Sequence, residues 1–191
     1  MSSKDSIISL PNENLRQKSK RVTVITDEVR DVIEQMRLAT IDWEDGREHE
    51  VGVALAAVQI NRLWKIVIIR NNFEDKKDKT FSVFINPEIV KLEGEIEEDY
   101  EGCLSVKDIY GKVPRHTKVR LRALDESGRE IRVRAEGFLA RVFQHEVDHA
   151  NGIVFVDHID HEPDAFYKIT SDGKLESIDY EEVRATGIFR D

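Results

Sequence analysis

Apolar residues along this chain recur at spacings that predict two helices with strands between them. Asp27 can cap a first helix that runs to about Ala39. One face of this helix is apolar, at positions three and four residues apart: Val29, Val32, Ile33 and Met36. Residues 42–50 (DWEDGREHE) are too polar to pack and predict a surface loop, which leads into a small, apolar run over residues 51–60.

Beta structure is predicted for the middle of the chain. Residues 65–69 and 81–85 have the composition of buried strands, and an Asn-Pro pair is expected to end the second of them. A longer, half-exposed strand is expected over residues 89–99. Apolar and polar residues then alternate on both sides of a turn at residues 125–128, which predicts a hairpin.

A second helix is predicted from about Glu136 to His149, because Asn151 and Gly152 tolerate the left-handed backbone of a helix C-terminus. Its helical wheel separates a buried arc from a polar one. The buried arc contains Phe138, Leu139, Val142, Phe143, Glu146 and His149, whereas Arg141, Gln144 and Asp148 point away. From Pro163 onward the chain is polar and acid-rich, with a short hairpin expected around residues 171–173.

The length and composition indicate one soluble globular domain over residues 1–191, with a core over about 7–160 and a tail over 163–191. Hydrophobic residues make up 40% of the chain and charged residues 35%. The net charge of −9 argues against a broad nucleic-acid-binding face, and no apolar run is long enough to span a membrane. Cys103 is the single cysteine, so an internal disulfide framework is excluded.

The second predicted helix carries His145, Glu146 and His149 in the order of an HExxH motif. Histidines four residues apart lie on one helical face, so both imidazoles can reach a single divalent cation. Glu146 lies roughly 100° around the helix, where it can touch a water bound to that cation. The alternative is a chance pair of surface histidines with a solvated glutamate between them.

A catalytic site of this kind usually has a third protein ligand, and the residues alone leave its identity open. The metzincin pattern would require a histidine where the chain has Phe155, which cannot bind a metal. Glu176 could complete a thermolysin-like site. Cys103 could supply a thiolate to iron or zinc, or it could simply pack as a small buried hydrophobe.

Three segments of the chain share their order and spacing with one known family. They are residues 52–59 (GVALAAVQ), 101–105 (EGCLS) and 144–149 (QHEVDH). In these segments the chain resembles the peptide deformylases, and the likeness extends from about Ile7 to Asp160. The resemblance implies an α+β fold in which antiparallel or mixed β-sheets pack around a central helix carrying the HExxH motif.

The resemblance also implies a metal-dependent hydrolase that removes the N-formyl group from formyl-methionine at the start of newly made polypeptides and releases formate. Cys103, His145 and His149 would hold one divalent metal, with Fe²⁺ expected first and Zn²⁺, Ni²⁺ or Co²⁺ as substitutes. Water bound to that metal would attack the formyl carbon, with Glu146 as general base and then as general acid.

Further roles follow from the same resemblance. The Gln59 side-chain amide and the Leu104 backbone N–H would stabilise the oxyanion that forms during the attack. Glu101 would orient one of the metal ligands, although it could also be an ordinary surface carboxylate. The segment Gly52, Val53 and Ala54 would pair with the backbone of an extended substrate. The pocket for the methionine side chain would be lined by Tyr110, Phe138 and Val142, whose alternative role is core packing.

The chain departs from the family pattern at Ala54, Val58 and Lys107, where the family usually has glycine, proline and proline. These changes bear on efficiency and substrate range, because none of them removes a proposed ligand. Two alternatives stay open: a zinc peptidase that uses the HExxH helix and leaves Cys103 free, and a catalytically silent deformylase-like binding protein. The residues 42–50 are expected to overhang the cleft.

The expected partners are N-formylmethionyl nascent peptides, with a transient contact to the ribosome and no direct reading of nucleic acid. A monomer is expected in preference to an oligomer. The segment at residues 1–20 lacks the pattern of a signal or transit peptide, which favours a bacterial-type cytoplasmic protein. An organelle origin with a removed transit segment is the alternative.

Overall fold

The computed structural model describes residues 7–45 and 47–190. These residues form three α-helices and seven β-strands. In chain order they are α1 (Asp27–Glu44), β1 (Ala54–Ala56), β2 (Ile66–Arg70), β3 (Phe81–Cys103), β4 (Val106–Leu124), β5 (Glu130–Glu136), α2 (Gly137–Ala150), β6 (Phe166–Ile169), β7 (Leu175–Ser177) and α3 (Tyr180–Ala185). Short 3-10 turns lie at Glu13–Arg16, Ala57–Ile60, Phe155–His158 and Pro163–Ala165.

The strands form one sheet in which every pair of neighbouring strands is antiparallel. The order is β1-β2-β3-β4-β6-β7, and β5 pairs with another part of β4. The α+β class with an antiparallel sheet is therefore confirmed. β1 stands at one end of this order, so within the described chain one of its edges has no neighbouring strand.

Helix α1 has the predicted buried face but not the predicted ends. Thr26 caps it instead of Asp27, since the Thr26 hydroxyl accepts a hydrogen bond from the Val29 N–H. The helix continues through Trp43 to Glu44, so the first part of the predicted surface loop is helical. The prediction of a loop was wrong here because Glu44 is buried and pairs with Arg70 and Lys79, partners that the local sequence does not reveal.

Strand β3 is also longer than the sequence pattern predicts. Asn86 and Pro87 do not end it, because they fall at a shift of register against β4 between Ile85 and Glu88. A proline is tolerated at such a bulge, where the ladder hydrogen bonds are interrupted. The Asn86 side chain takes part in the chain's packing instead, as it donates to the Val22 carbonyl and accepts from the Val22 N–H. The predicted hairpin between β4 and β5 is confirmed.

Helix α2 begins and ends where the sequence predicts, and Gly152 adopts the left-handed backbone (φ 78°) expected after its last turn. The predicted separation of two arcs was wrong. Arg141 and Gln144 are buried, whereas Phe138 is 47% exposed. The wheel assumed a helix with one wet face, but α2 packs against β1, β3, β4 and β5 at once, so polar side chains must find partners inside.

The polar tail contains the predicted hairpin, formed by β6 and β7. It joins the sheet through β4, since Phe166 pairs with Gly111. Phe166, Val183 and Ile188 are buried in the same apolar cluster as Cys103. The chain beyond Pro163 therefore contributes to the core. Among the described residues, no helix is long and apolar enough to cross a membrane.

Candidate active site

Cys103, His145 and His149 come together in the fold. Cys103 is the last residue of β3, and the two histidines lie one turn apart on α2. Their ligand atoms all lie within 4.8 Å of one another, and the Cys103 Sγ is 3.2 Å from the His149 Nε2. Cys103 therefore lies beside the two histidines, whereas Glu176, the other candidate considered, lies on β7.

The chemistry of this donor set suits a transition-metal cation. One sulfur and two imidazole nitrogens are ligands that iron and zinc accept. All three side chains are buried, so without a cation their polar atoms would have to find partners within the protein. The His149 Nε2 and the Cys103 Sγ face each other at 3.2 Å, so both donor atoms are directed into the cluster. The residues present therefore fit a bound divalent metal.

Glu101 lies behind His145 and holds its ring. The carboxylate accepts from the Nδ1 of His145 at 2.9 Å, which leaves the Nε2 as the nitrogen available to a cation. Arg115 donates two hydrogen bonds to the same carboxylate, at 2.8 and 3.1 Å, and Arg141 donates a third at 3.0 Å. Glu101 is only 5% exposed, so it is not an ordinary surface carboxylate.

The two histidines differ in how their surroundings affect protonation. Burial lowers the pKa of His145, but hydrogen bonds with Cys103 and Glu101 outweigh it, so the pKa lies well above its ordinary value. Burial and the charge on His145 lower the pKa of His149 well below that value. The pKa of Glu101 is also lowered: burial opposes ionisation, but the bonds from His145 and Arg115 prevail.

Glu146 is a buried carboxyl group at the wall of the cavity that Cys103 and His145 also border. Its Oε2 atom has no hydrogen-bond partner among the described residues. Burial raises the pKa of this carboxyl to about 7. A carboxyl group with a pKa near neutrality can both accept and return a proton at physiological pH.

Gln59 lies in the short turn that follows β1, with its side-chain amide fixed in orientation. Its Oε1 accepts from the Ala56 N–H at 2.8 Å, and its Nε2 lies 3.1 Å from the Ser105 hydroxyl oxygen and 3.6 Å from the Cys103 sulfur. The donor end of the amide is thus directed toward the cysteine. Leu104 lines the cavity next to it.

The cavity in front of these residues has a volume of about 420 Å³. Of the six residues predicted to bind substrate, five line it, and Gly52 does not. The five are Val53, Ala54, Tyr110, Phe138 and Val142. Gly102 lies beside Tyr110 and has no room for a side chain, because a Cβ there would come within 2.5 Å of the Tyr110 ring.

Residues on one wall of the cavity were not identified from the sequence as site residues. Trp43, Arg47 and Glu50 come from the charged segment, whose predicted position over the cleft agrees with this lining. The Tyr110 hydroxyl donates to Glu50 at 2.7 Å, and burial together with this bond raises the pKa of Tyr110. The sequence carries no signal for the contact between Tyr110 and Glu50, because this contact joins residues 60 positions apart.

Arg115 and Arg141 were likewise missed as site residues. Arg115 was not singled out from the sequence, and Arg141 was assigned to the outer face of its helix. Each holds Glu101 from a different element, β4 and α2, so their role depends on how those elements pack.

Comparisons with known proteins agree on one family. The family model described as polypeptide deformylase matches residues 4–164. A peptide deformylase of Thermomicrobium roseum is 42% identical over 157 residues, which cover 81% of this chain and 85% of the relative. Peptide deformylase 2 of Clostridium acetobutylicum is 42% identical over 146 residues, covering 76% and 89% of the two chains.

Solved structures give the same result for the fold. A peptide deformylase from Synechococcus elongatus, solved in complex with actinonin, has a TM-score of 0.71 and 40% identity, and the match covers 80% of this chain and 78% of the other. A peptide deformylase from Plasmodium falciparum has a TM-score of 0.74 and 29% identity, with coverage of 94% and 91%.

Proposed function

This chain belongs to the polypeptide deformylase family, and from that premise we propose that it removes the N-formyl group from formyl-methionine on newly made polypeptides and releases formate. The observation that carries the proposal is local. Cys103, His145 and His149 have potential metal-ligating atoms within 4.8 Å of one another, and the first two border the same cavity as Glu146, a buried glutamate with an unpartnered oxygen. The helix α2, which contacts most of the sheet, would be the central helix of this fold.

The metal would be held by Cys103, His145 and His149, with Fe²⁺ as the cation that we propose first and Zn²⁺, Ni²⁺ or Co²⁺ as substitutes. When bound, a divalent cation polarises a carbonyl oxygen and lowers the pKa of water towards neutrality. Glu101 would keep the His145 ring in the orientation and tautomer that a ligand needs, because it accepts from the Nδ1.

Glu146 would move the proton. Its carboxylate takes a proton from the attacking water as the new C–O bond forms at the formyl carbon. It then returns that proton to the departing amine nitrogen as the C–N bond breaks, leaving formate and a free N-terminus. A pKa of about 7 suits both transfers, since the carboxyl is neither a permanent acid nor a permanent base at neutral pH.

The remaining residues would bind and orient the substrate. The Gln59 amide, with its donor end directed toward Cys103, and the Leu104 N–H would donate to the oxyanion that forms during attack. The backbone of Val53 and Ala54, the two residues of the predicted segment that line the cavity, would pair with an extended peptide. The methionine side chain would be received by the cavity lining: Tyr110, Phe138 and Val142.

The test is formate release from formyl-Met-Ala-Ser by ferrous-loaded protein prepared without oxygen. Glu146→Gln should retain the metal, measured by elemental analysis, and lose about 10²–10⁴-fold in turnover, as expected when a general base is removed. Cys103→Ala should lose metal and activity together. His161→Ala is the matched control, because its side chain is 91% exposed and outside the cluster.

A Glu146→Gln protein with near wild-type turnover would contradict the assigned mechanism. No formate from the wild-type protein with metal bound would instead support the catalytically silent alternative.

A further inference from the structure

A buried ion pair lies behind the segment that we assign to the substrate backbone. Glu44, at the end of α1, and Arg70, at the end of β2, have side chains that are 1% and 0% exposed. The Arg70 Nη2 donates to the Glu44 Oε2 at 2.7 Å. Lys79 also pairs with Glu44, from a more exposed position. Neither member of the buried pair lines the cavity.

The pair holds the peptide groups of Gly52 on both sides. The Glu44 Oε2 accepts from the Gly52 N–H at 3.1 Å, and the Arg70 Nε donates to the Gly52 carbonyl at 3.0 Å. The Arg70 backbone N–H also donates to the Val53 carbonyl at 2.8 Å. Two residues from different elements therefore determine where this part of the backbone lies.

Gly52 also lies directly against α1, which leaves no room for movement in that direction. A Cβ on Gly52 would come within 2.5 Å of the Thr40 methyl carbon and 2.9 Å of the Thr40 carbonyl oxygen. The backbone of Gly52 is thus packed on one side by the helix and hydrogen-bonded at both of its polar atoms. This explains why Gly52 is absent from the cavity lining although its neighbours are present.

The neighbouring residues Val53 and Ala54 do border the cavity, at the end of the sheet that has an open edge. Backbone groups alternate in direction along an antiparallel strand. Because the Val53 carbonyl points to β2, the backbone groups of Ala54 point to the opposite, open edge. The hydrogen bonds that hold Gly52 and Val53 therefore determine the direction in which the Ala54 backbone groups point.

We propose that Glu44 and Arg70 are positioning residues that fix the Gly52–Ala54 backbone so that its open edge can pair with an extended substrate. The proposal rests on the deformylase function proposed above and adds to it the residues that control recognition of peptide length. A substrate of one residue has little backbone to pair, whereas a tripeptide can form the strand-like contacts. The pair should therefore matter for long substrates and not for short ones.

The experiment compares three proteins with the wild type. Glu44→Gln breaks the pair, and the double variant Glu44→Leu with Arg70→Met replaces both members by apolar side chains, which buried ion pairs often tolerate. The control is Glu88→Leu with Arg122→Met, which removes an exposed ion pair between β3 and β4. Thermal melting first establishes which variants are folded.

Two readouts are then taken from the folded variants. The first is the ratio of kcat/KM for formyl-Met-Ala-Ser to that for formyl-Met, which should fall about tenfold in the double variant, as for the loss of one or two backbone hydrogen bonds. Turnover of formyl-Met should stay within about twofold of wild type. The second is amide hydrogen exchange in the peptide covering residues 51–57, which should become faster.

Faster exchange together with a lower ratio would support the proposal, provided that the Glu88/Arg122 control shows neither. An unchanged ratio in a folded double variant would overturn it, whether or not exchange increases. If the wild-type protein hydrolyses neither substrate, the proposed function fails. Exchange still tests the positioning of the segment in that case, since unchanged exchange would overturn it.

Discussion

Two buried carboxylates, Glu101 and Glu44, each hold a neighbouring group in place, in different parts of the molecule. Glu101 accepts from Arg115, Arg141 and His145 behind the candidate metal site. Glu44 accepts from Arg70, Lys79 and the Gly52 N–H behind the candidate substrate edge. In both cases burial opposes ionisation, but hydrogen bonds from cationic partners lower the pKa of the carboxyl.

The difference between them is what each carboxylate holds. Glu101 fixes a side chain, because it accepts from the Nδ1 of His145. The other ring nitrogen of His145 would bind the proposed cation. Glu44 fixes a length of backbone, through the N–H of Gly52. One arrangement should therefore control metal affinity and the other should control peptide recognition. A buried carboxylate with cationic partners can therefore serve either function, depending on whether it also binds an imidazole or a backbone N–H.

The largest effect is expected from Glu101→Gln. Loss of the charge leaves Arg115 and Arg141 buried without their shared partner, and a broken buried ion pair typically costs about 3–5 kcal/mol of the free energy of unfolding. Metal affinity should fall about 10–100-fold, because the ligand ring loses its support. Denaturant unfolding and metal titration measure the two effects. Normal metal affinity in a folded Glu101→Gln protein would contradict the assignment of Glu101 as the residue that controls metal affinity.

A smaller effect on stability is expected from Glu44→Gln. Lys79 is partly exposed and can turn to water, so we expect a loss of about 2–4 kcal/mol at neutral pH with metal affinity unchanged. Because the pKa of Glu44 is lowered in the folded protein, its stabilising contribution is complete above the ordinary value of 4.5 and disappears as the pH falls through the lowered pKa.

The stability difference between wild type and Glu44→Gln should therefore shrink in acid below that value. Urea unfolding between neutral pH and pH 3 measures it. A stability difference that grows in acid would contradict a lowered pKa of Glu44. A Glu44→Gln protein with metal affinity as weak as that of Glu101→Gln would show that Glu44 also controls metal binding.

The smallest effect is expected from Glu88→Gln, which sharpens the comparison by removing an exposed carboxylate that accepts a hydrogen bond from a surface arginine, Arg122. Glu88 and Arg122 are about half exposed, and exposed pairs contribute little. The melting temperature should change by no more than about 2–4 °C, and metal content and turnover should stay at wild-type values. A clear loss of activity would show that β3 and the site are coupled over a distance.

Sequence alone predicted those parts of the protein that depend on local geometry. The spacing of His145 and His149 puts both on one helical face in any α-helix, so the pair follows from the backbone repeat. The β4–β5 hairpin and the end of α2 at Gly152 follow from turn residues in the same way. Cys103 was one of the candidate ligands that residue chemistry left open, and the motif resemblance selected it; Glu101 came from the resemblance alone.

Tertiary structure decided which charged residues are buried and what they hold. Glu44 has the sequence context of a solvated loop, yet it meets Arg70 from 26 positions away, and only the packing of α1 on the sheet brings them together. The helical wheel placed Arg141 on the outer face because it assumes that one side of the helix is exposed to solvent. In the structure α2 is covered on several sides. Burial of a charge depends on partners distant in the chain, and local pattern carries no information about them.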